Sequence, residues 1–434
     1  MKAPLLFIVI PSFFFGFAHL KVSGQHHSLD FYLEKAKENS TLIHQNRNEK
    51  QLVQIDMEQI RKIYSRPEVT VDAGVLFAPI LSLDQTPAQF KLTAKDGDFD
   101  EYVGYDLAAT DGGQFQGVVS FNQGLFNGKK IETYNDRAEI QIQIHDNNIQ
   151  LNEHELENTV RHQYLLCLKS KRQADNNLDL AREVEEEIAI MKALVRNAIY
   201  KQSDLKLLEI ARQNYVQAYE TSRAEYRDNI YNLNLLCGVK EGADVEIEPV
   251  EFSLNQKVVV HSQFLTSFYL DSLAIIADRS ISELKYQPQL SLFADAGMNA
   301  VYLPSFNRFG FSTGATFSLM LYDGHQRKTE FEKSQINLKN LQFVKEQTMI
   351  QNEIQKDFTL DKLYSLDKRI SLAEDQLEQY DQLLTLYKSQ LGNGDISVMD
   401  YSYLVKDIAE KKQEMLLFEM EKQMVINAYN YWNY

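Results

Sequence analysis

Four short stretches of this chain alternate apolar and polar residues, and each lies between much longer stretches of helical period. The first puts Val69, Val71, Ala73, Val75 and Phe77 against Glu68, Thr70, Asp72 and Gly74. The second sets Phe115, Gly117, Val119 and Phe121 against Gln116, Val118, Ser120 and Asn122. Leu290, Leu292, Ala294, Ala296 and Met298 alternate in the third, and Phe309, Phe311, Thr313, Ala315, Phe317, Leu319 and Leu321 in the fourth. A period of two places one apolar face on a strand. Pro67 and Pro288 stand just before the first and third stretches and end the helical patterns that precede them.

Residues 129–200 and 325–391 contain neither proline nor glycine, so each predicts one unbroken helix. Leu363, Leu366, Ile370, Ala373, Leu377, Tyr380, Leu384, Tyr387 and Leu391 keep strict three-four spacing. Tyr401, Leu404, Ile408, Lys411, Met415, Phe418, Lys422, Val425, Tyr429 and Trp432 continue it on a returning helix, with two lysines intruding. A seven-residue repeat imposes a left-handed coiled coil. Shorter helices are expected over residues 28–66, with a weak point at Asn39 and Ser40, and over 203–236, 261–285 and the last stretch of the chain. In each half the two short helices together match the long one, roughly 100 Å at 1.5 Å per residue. Helix, strand, loop, strand, long helix, turn and helix therefore occur twice in that order. The expected organisation is a signal peptide over 1–24, a first repeat over 25–238, a connector over 239–260 and a second repeat over 261–434.

Composition narrows the setting. Lys2, an apolar run through Phe17 and small residues at Val22 and Gly24 read as an export signal. Removing residues 1–24 removes two lysines and no acid, so the net charge moves from −16 to −18. Such an acidic chain is unsuited to nucleic acid, whose phosphates demand basic surface. Two cysteines, Cys167 and Cys237, are too few for a cysteine-rich zinc site or a disulfide framework. No later run of apolar residues is long enough for a membrane helix, but barrel strands carry only a weak alternating signal. Four strands cannot close a barrel, and open edges are not tolerated in lipid, so the strands are expected to be shared between subunits.

The order and spacing of three motifs give the pattern a family likeness. Pro288-Gln289-Leu290-Ser291-Leu292 opens a strand. Leu321-Tyr322-Asp323-Gly324, echoed by Leu125-Phe126-Asn127-Gly128, opens a long helix. Gly394-Asp395-Ile396-Ser397-Val398-Met399-Asp400-Tyr401 opens the return helix. With them the chain resembles the TolC-like outer-membrane efflux protein family over nearly its whole mature length. The resemblance implies a mixed α+β, mainly α fold. It implies a homotrimer with a shared transmembrane β-barrel in outer-membrane lipid and an α-helical coiled-coil tunnel through the periplasm. It also implies a periplasmic adaptor and an inner-membrane transporter as partners, in efflux or type I secretion. The sequence departs from the family at Ser40, where a proline is common, and at the second-half turn, where Leu391 and Ile396 stand near the family's tyrosine and arginine.

Candidate chemistry is sparse. Asp204 and Asp395 are expected to begin the return helices as N-caps, and repeated around a pore they would form an acidic entrance that favours cations. If the first turn centres near residue 202, Cys167 and Cys237 lie at one height, where an oxidising periplasm would preserve a disulfide. Otherwise they are two small buried apolar residues. Residues 81–113 form an acidic connection with seven acids and two lysines, expected outside the cell. Its Asp96, Asp98 and Asp100 mimic a calcium loop but lack that loop's glycine and closing glutamate. His26 and His27 are expected in a loose end. No arrangement supports an enzyme, a cofactor or a resident metal. A surface-associated structural coiled coil is the alternative reading, but it has no use for four alternating strands. A passive porin has no use for such long helices.

Overall fold

The structure, a computed structural model, describes residues 26–77, 80–82, 89–91, 113–256, 262–301 and 309–434. The signal stretch, the calcium-like aspartates with most of the acidic connection, and part of the connector lie outside the described residues. The elements follow in the order β1 (His26–His27), α1 (Leu29–Asn39), α2 (Thr41–Ser65), β2 (Glu68–Phe77), β3 (Ile80–Ser82), β4 (Gln89–Lys91) and β5 (Gly113–Leu125). Next come α3 (Gly128–Arg196), α4 (Gln202–Cys237), β6 (Glu246–Ile247), α5 (Gln263–Glu283) and a single 3-10 turn, Leu284–Tyr286. The chain ends with β7 (Gln289–Val301), β8 (Phe309–Ser318), α6 (Gln326–Asn393) and α7 (Val398–Trp432). The break at Asn39 is real: Ser40 caps α2, its Oγ accepting from Ile43 N.

The chain divides into two compact units, and α3 and α6 each supply residues to both. The unit formed by Ser40–Leu156, Asn255–Asp361 and Ala428–Tyr434 holds the sheet. Its strands run antiparallel in the order β2-β5-β7-β8, and the hairpin of β3 and β4 is separate. The register aligns Val69, Phe121, Ala294 and Thr313 in one row across all four strands. Val71, Val119, Ala296 and Phe311 form the next, then Ala73, Gly117, Met298 and Phe309. These rows make an apolar face turned to solvent; Val71 is 75% and Phe311 82% exposed. The opposite face carries Thr70, Ser120, Asp295 and Ser312, flanked by Asp72. Gly297 has no room for a side chain, since a Cβ there would sit 2.2 Å from the Gly117 carbonyl oxygen. Among the described residues neither β2 nor β8 pairs with a further strand.

The other unit contains the described residues up to Asn39, with Glu157–Leu254 and Lys362–Asn427. Here α1 is fixed to the end of α4: Asn39 Nδ2 donates to the Cys237 carbonyl at 2.8 Å, and Gly238 ends α4 in the left-handed conformation at φ 67°. His26 and His27 depart from the expected loose end. They pair in parallel with Glu246 and Ile247. The His27 ring stacks on Phe31 at 4.1 Å, and its Nε2 lies 2.7 Å from Glu241 Oε2. Backbone pairing, ring stacking and a polar contact together fix a segment that its position in the chain would leave loose.

Candidate functional site

The expected pore-end aspartates lie where the long helices turn back, within one unit. Four helix ends share a core there: Val184, Ile188 and Met191 from α3, Leu205 and Leu208 from α4, Leu391 from α6, and Val398 and Tyr401 from α7. Both turns close with the same hydrogen-bond pair. After α3, Ala198 N bonds the Val195 carbonyl at 3.0 Å and Ile199 N the Leu194 carbonyl at 3.0 Å. After α6, Gly394 N bonds Leu391 O at 3.2 Å and Asp395 N bonds Gln390 O at 2.9 Å. This is the Schellman arrangement, which demands a left-handed residue; Ala198 takes it at φ 57° and Gly394 at φ 80°.

Neither aspartate is an N-cap. Lys201 occupies the cap position of α4, and Asp204 stands three residues on, its Oδ2 accepting from Lys201 N at 2.9 Å. It caps from inside the first turn, as the second half of a capping box. In the other turn the cap is Ser397, whose Oγ accepts from Met399 N at 3.0 Å. Asp395 precedes it, exposed in the turn itself. The position that corresponds to Asp204 is therefore Asp400, in the first turn of α7. The reason is length: each turn needs three residues between its left-handed residue and the first helical one, which moves the caps past Asp395.

Tyr200 joins the two turns, and no sequence pattern marked it. Its hydroxyl donates to the Ile396 carbonyl at 2.7 Å, with the Leu391 carbonyl 3.2 Å away. Burial, and then the charges of Asp204 and Asp395, hold its pKa above the ordinary tyrosine value. Both aspartates thus lie close to one hydroxyl. Leu391 is 1% exposed and Ile396 packs beside it, so Leu391 is core. Deeper in the same core Glu187 is buried, 3.2 Å from Lys388 Nζ, and accepts from the Tyr401 hydroxyl. An apolar groove of about 460 Å³ opens between α3, α4 and α7, lined by Leu180, Val184, Leu208, Ala211 and Ala409. Carboxylates, a tyrosine and apolar walls can select and hold charge.

Cys167 and Cys237 are free and fully buried thiols. The expected shared height, and with it the possible disulfide, fails on the placement of the turn. Facing pairs on α3 and α4, Asn177 with Ser222 and Glu185 with Arg212, centre near residue 199 rather than 202. Cys237 is then displaced from the level of Cys167 by about 9 Å at 1.5 Å per residue, beyond the roughly 7 Å between Cα atoms that a disulfide spans. Both thiols border Tyr32, and burial pushes each up to about 12. Among the described residues no three His, Cys, Asp or Glu side chains are grouped to hold a metal, and no helix is long and apolar enough to cross a membrane.

A four-stranded sheet with an exposed apolar face, whose β5 and β8 lead into helices of 69 and 68 residues, has solved counterparts. The outer membrane protein VceC of Vibrio cholerae superposes with a TM-score of 0.69 at 12% identity, over 93% of this chain and 95% of that one. CusC, described for its folding and transmembrane channel formation, gives 0.69 at 10% identity, over 94% and 92%. The open-state outer membrane channel MtrE of Neisseria gonorrhoeae gives 0.66 at 12%, over 93% and 88%. This is the TolC-like outer-membrane channel fold. No protein-family model matches the sequence, and no curated protein is similar to it at the sequence level. The TolC-like fold is therefore carried here by pattern and length, with few of the residues seen in its solved representatives.

Proposed function

We propose that the chain is an outer-membrane channel subunit, a conduit for efflux or type I secretion. Three copies would share a twelve-strand barrel and continue as a helical tunnel through the periplasm, after export directed by residues 1–24. The observation that carries this reading is the sheet: one face mostly apolar and exposed, the other mostly polar, both edges unpaired among the described residues, and every strand leading at one end into helix. In lipid such edges must find partners, and three copies give a number of strands that can close. The sheet's unit also leaves Ile336, Phe343 and Ile350 of α6 more than half exposed at seven-residue spacing, the seam another helix would cover. The matching order of elements in the two halves supports an internally repeated chain. Asp204, Asp395 and Asp400 lie at the turns, where in a trimer they would ring the tunnel end. The apolar groove beside those turns suits a helical hairpin of a periplasmic adaptor, which would connect the channel to an inner-membrane transporter.

Planar-bilayer recording of the purified full chain tests this. Discrete, cation-preferring conductance steps are expected. Protein that inserts and yields no steps under any applied voltage, with or without chaotropic loosening of the turns, would contradict a conduit.

A further inference from the structure

The register shows that all four strand–helix junctions lie at one end of the sheet: Glu68 opposite Asn122, Leu125 opposite Leu290, Leu290 opposite Phe317. Just beyond that end the side chains change character together. Phe126 is 86%, Leu321 89% and Tyr322 76% exposed. Around them stand six cations: Arg66 after α2, Lys129 and Lys130 at the start of α3, Lys285 before β7, and Arg327 and Lys328 at the start of α6. This occurs in a chain with a net charge of −16.

Helix stability does not explain the placement. A helix start favours acids, yet neither α3 nor α6 has one in its first turn. Nor do local carboxylates account for all six. Glu132 is 3.3 Å from Lys129, Glu283 is 2.5 Å from Arg327, and Asp323 accepts from Arg327 N at 2.8 Å and from the Tyr286 hydroxyl. Glu332 is 3.8 Å from Lys328, with both side chains more than half exposed. Lys130 and Lys285 lie over the rings of Tyr64 and Tyr286 at 5.6 and 5.0 Å. Glu68 stands in β2 on the polar face of the sheet, in register with Asn122.

Exposed aromatic and aliphatic side chains followed by cations are the composition of a membrane–water boundary, where rings sit at headgroup depth and basic residues meet phosphate. The band directly follows the exposed strands β5 and β8 along the chain. We propose that this junction is a binding surface for anionic phospholipid headgroups, held by Lys130, Arg327 and Lys328 above the anchors Phe126 and Tyr322. It would fix the depth of the sheet in the membrane. The inference rests on the membrane-spanning reading of the sheet.

The test uses the assembled full chain in nanodiscs, one set of phosphatidylcholine alone and one with phosphatidylcholine and phosphatidylglycerol in equal parts. Lipid retained after extraction is counted by native mass spectrometry. The expected result is a retained phosphatidylglycerol-to-phosphatidylcholine ratio of at least about five, falling toward unity in K130Q/R327Q/K328Q and in high salt. The charge-preserving variant K130R/R327K/K328R is expected to keep the enrichment, which separates loss of charge from loss of fold. Equal retention of the two lipids by the unaltered chain, or unchanged enrichment in the glutamine variant, overturns the proposal while the channel reading stands. Failure to enter either kind of nanodisc overturns both.

Discussion

At the scale of single residues, the two turns impose one backbone demand and meet it with different side chains. Ala198 and Gly394 hold equivalent left-handed positions, but only glycine does so without steric cost. A198G is expected to raise stability by about 0.5–1 kcal/mol, read as a higher thermal midpoint in detergent. G394A is expected to lower it by more than A198G raises it, because its Cβ would also meet Ile199 Cγ2 at 3.0 Å. Two unchanged midpoints would mean that the turns differ in solution. The thiols belong to the same scale. With Cys167 and Cys237 buried and their thiols pushed up to about 12, maleimide at pH 7 should label the folded chain negligibly. After denaturation without reductant it should label both cysteines; absence of label then would restore the disulfide. The aspartates, the histidines and the cysteines show why residue roles were poorly legible in the sequence. A cap depends on where a turn closes to within one residue, and a three-residue error in the turn centre shifts an antiparallel partner by twice that. Tyr200 was invisible for a related reason: it bonds backbone carbonyls some 190 residues away, and no local pattern encodes that.

Elements were far more legible. Pro67 and Pro288 mark helix ends within a residue or two of where α2 and the 3-10 turn stop, and the alternating runs became β2, β5, β7 and β8. The elements were legible because a strand with one apolar side must alternate and a very long helix must avoid proline and glycine. What alternation could not give was strand order or register. The pairing of β1 with β6 was also hidden, since two residues carry no period. The register makes a sharp test possible. Phe311 and Ser312 are adjacent in β8 yet face opposite ways. F311K is expected to cost about 2–4 kcal/mol near the membrane midplane and to deplete the assembled form in membranes, whereas S312K should assemble. Equal behaviour of the two would mean that the apolar face does not meet lipid.

The whole molecule is where the proposed conduit adds most to what one chain shows. A ring of copies would multiply each turn charge, so substitutions there should act on ions and leave folding alone. Asp395 is exposed and caps nothing, so D395A is expected to leave the thermal midpoint unchanged. It should reduce cation preference in single channels, more at 20 mM than at 1 M salt, since short-range screening removes the effect. Unchanged selectivity would place Asp395 away from the ion path. Asp204 holds a backbone amide as well, so D204A should lose stability and selectivity together. Everything at this scale depends on copies closing the sheet that, among the described residues, one copy leaves open at β2 and β8. The mass of the detergent-extracted assembly, measured natively alongside its β-content, tests that directly. Three chains with the strands intact are expected; a stable monomer that retains all its β-structure would contradict the shared barrel and the conduit built on it.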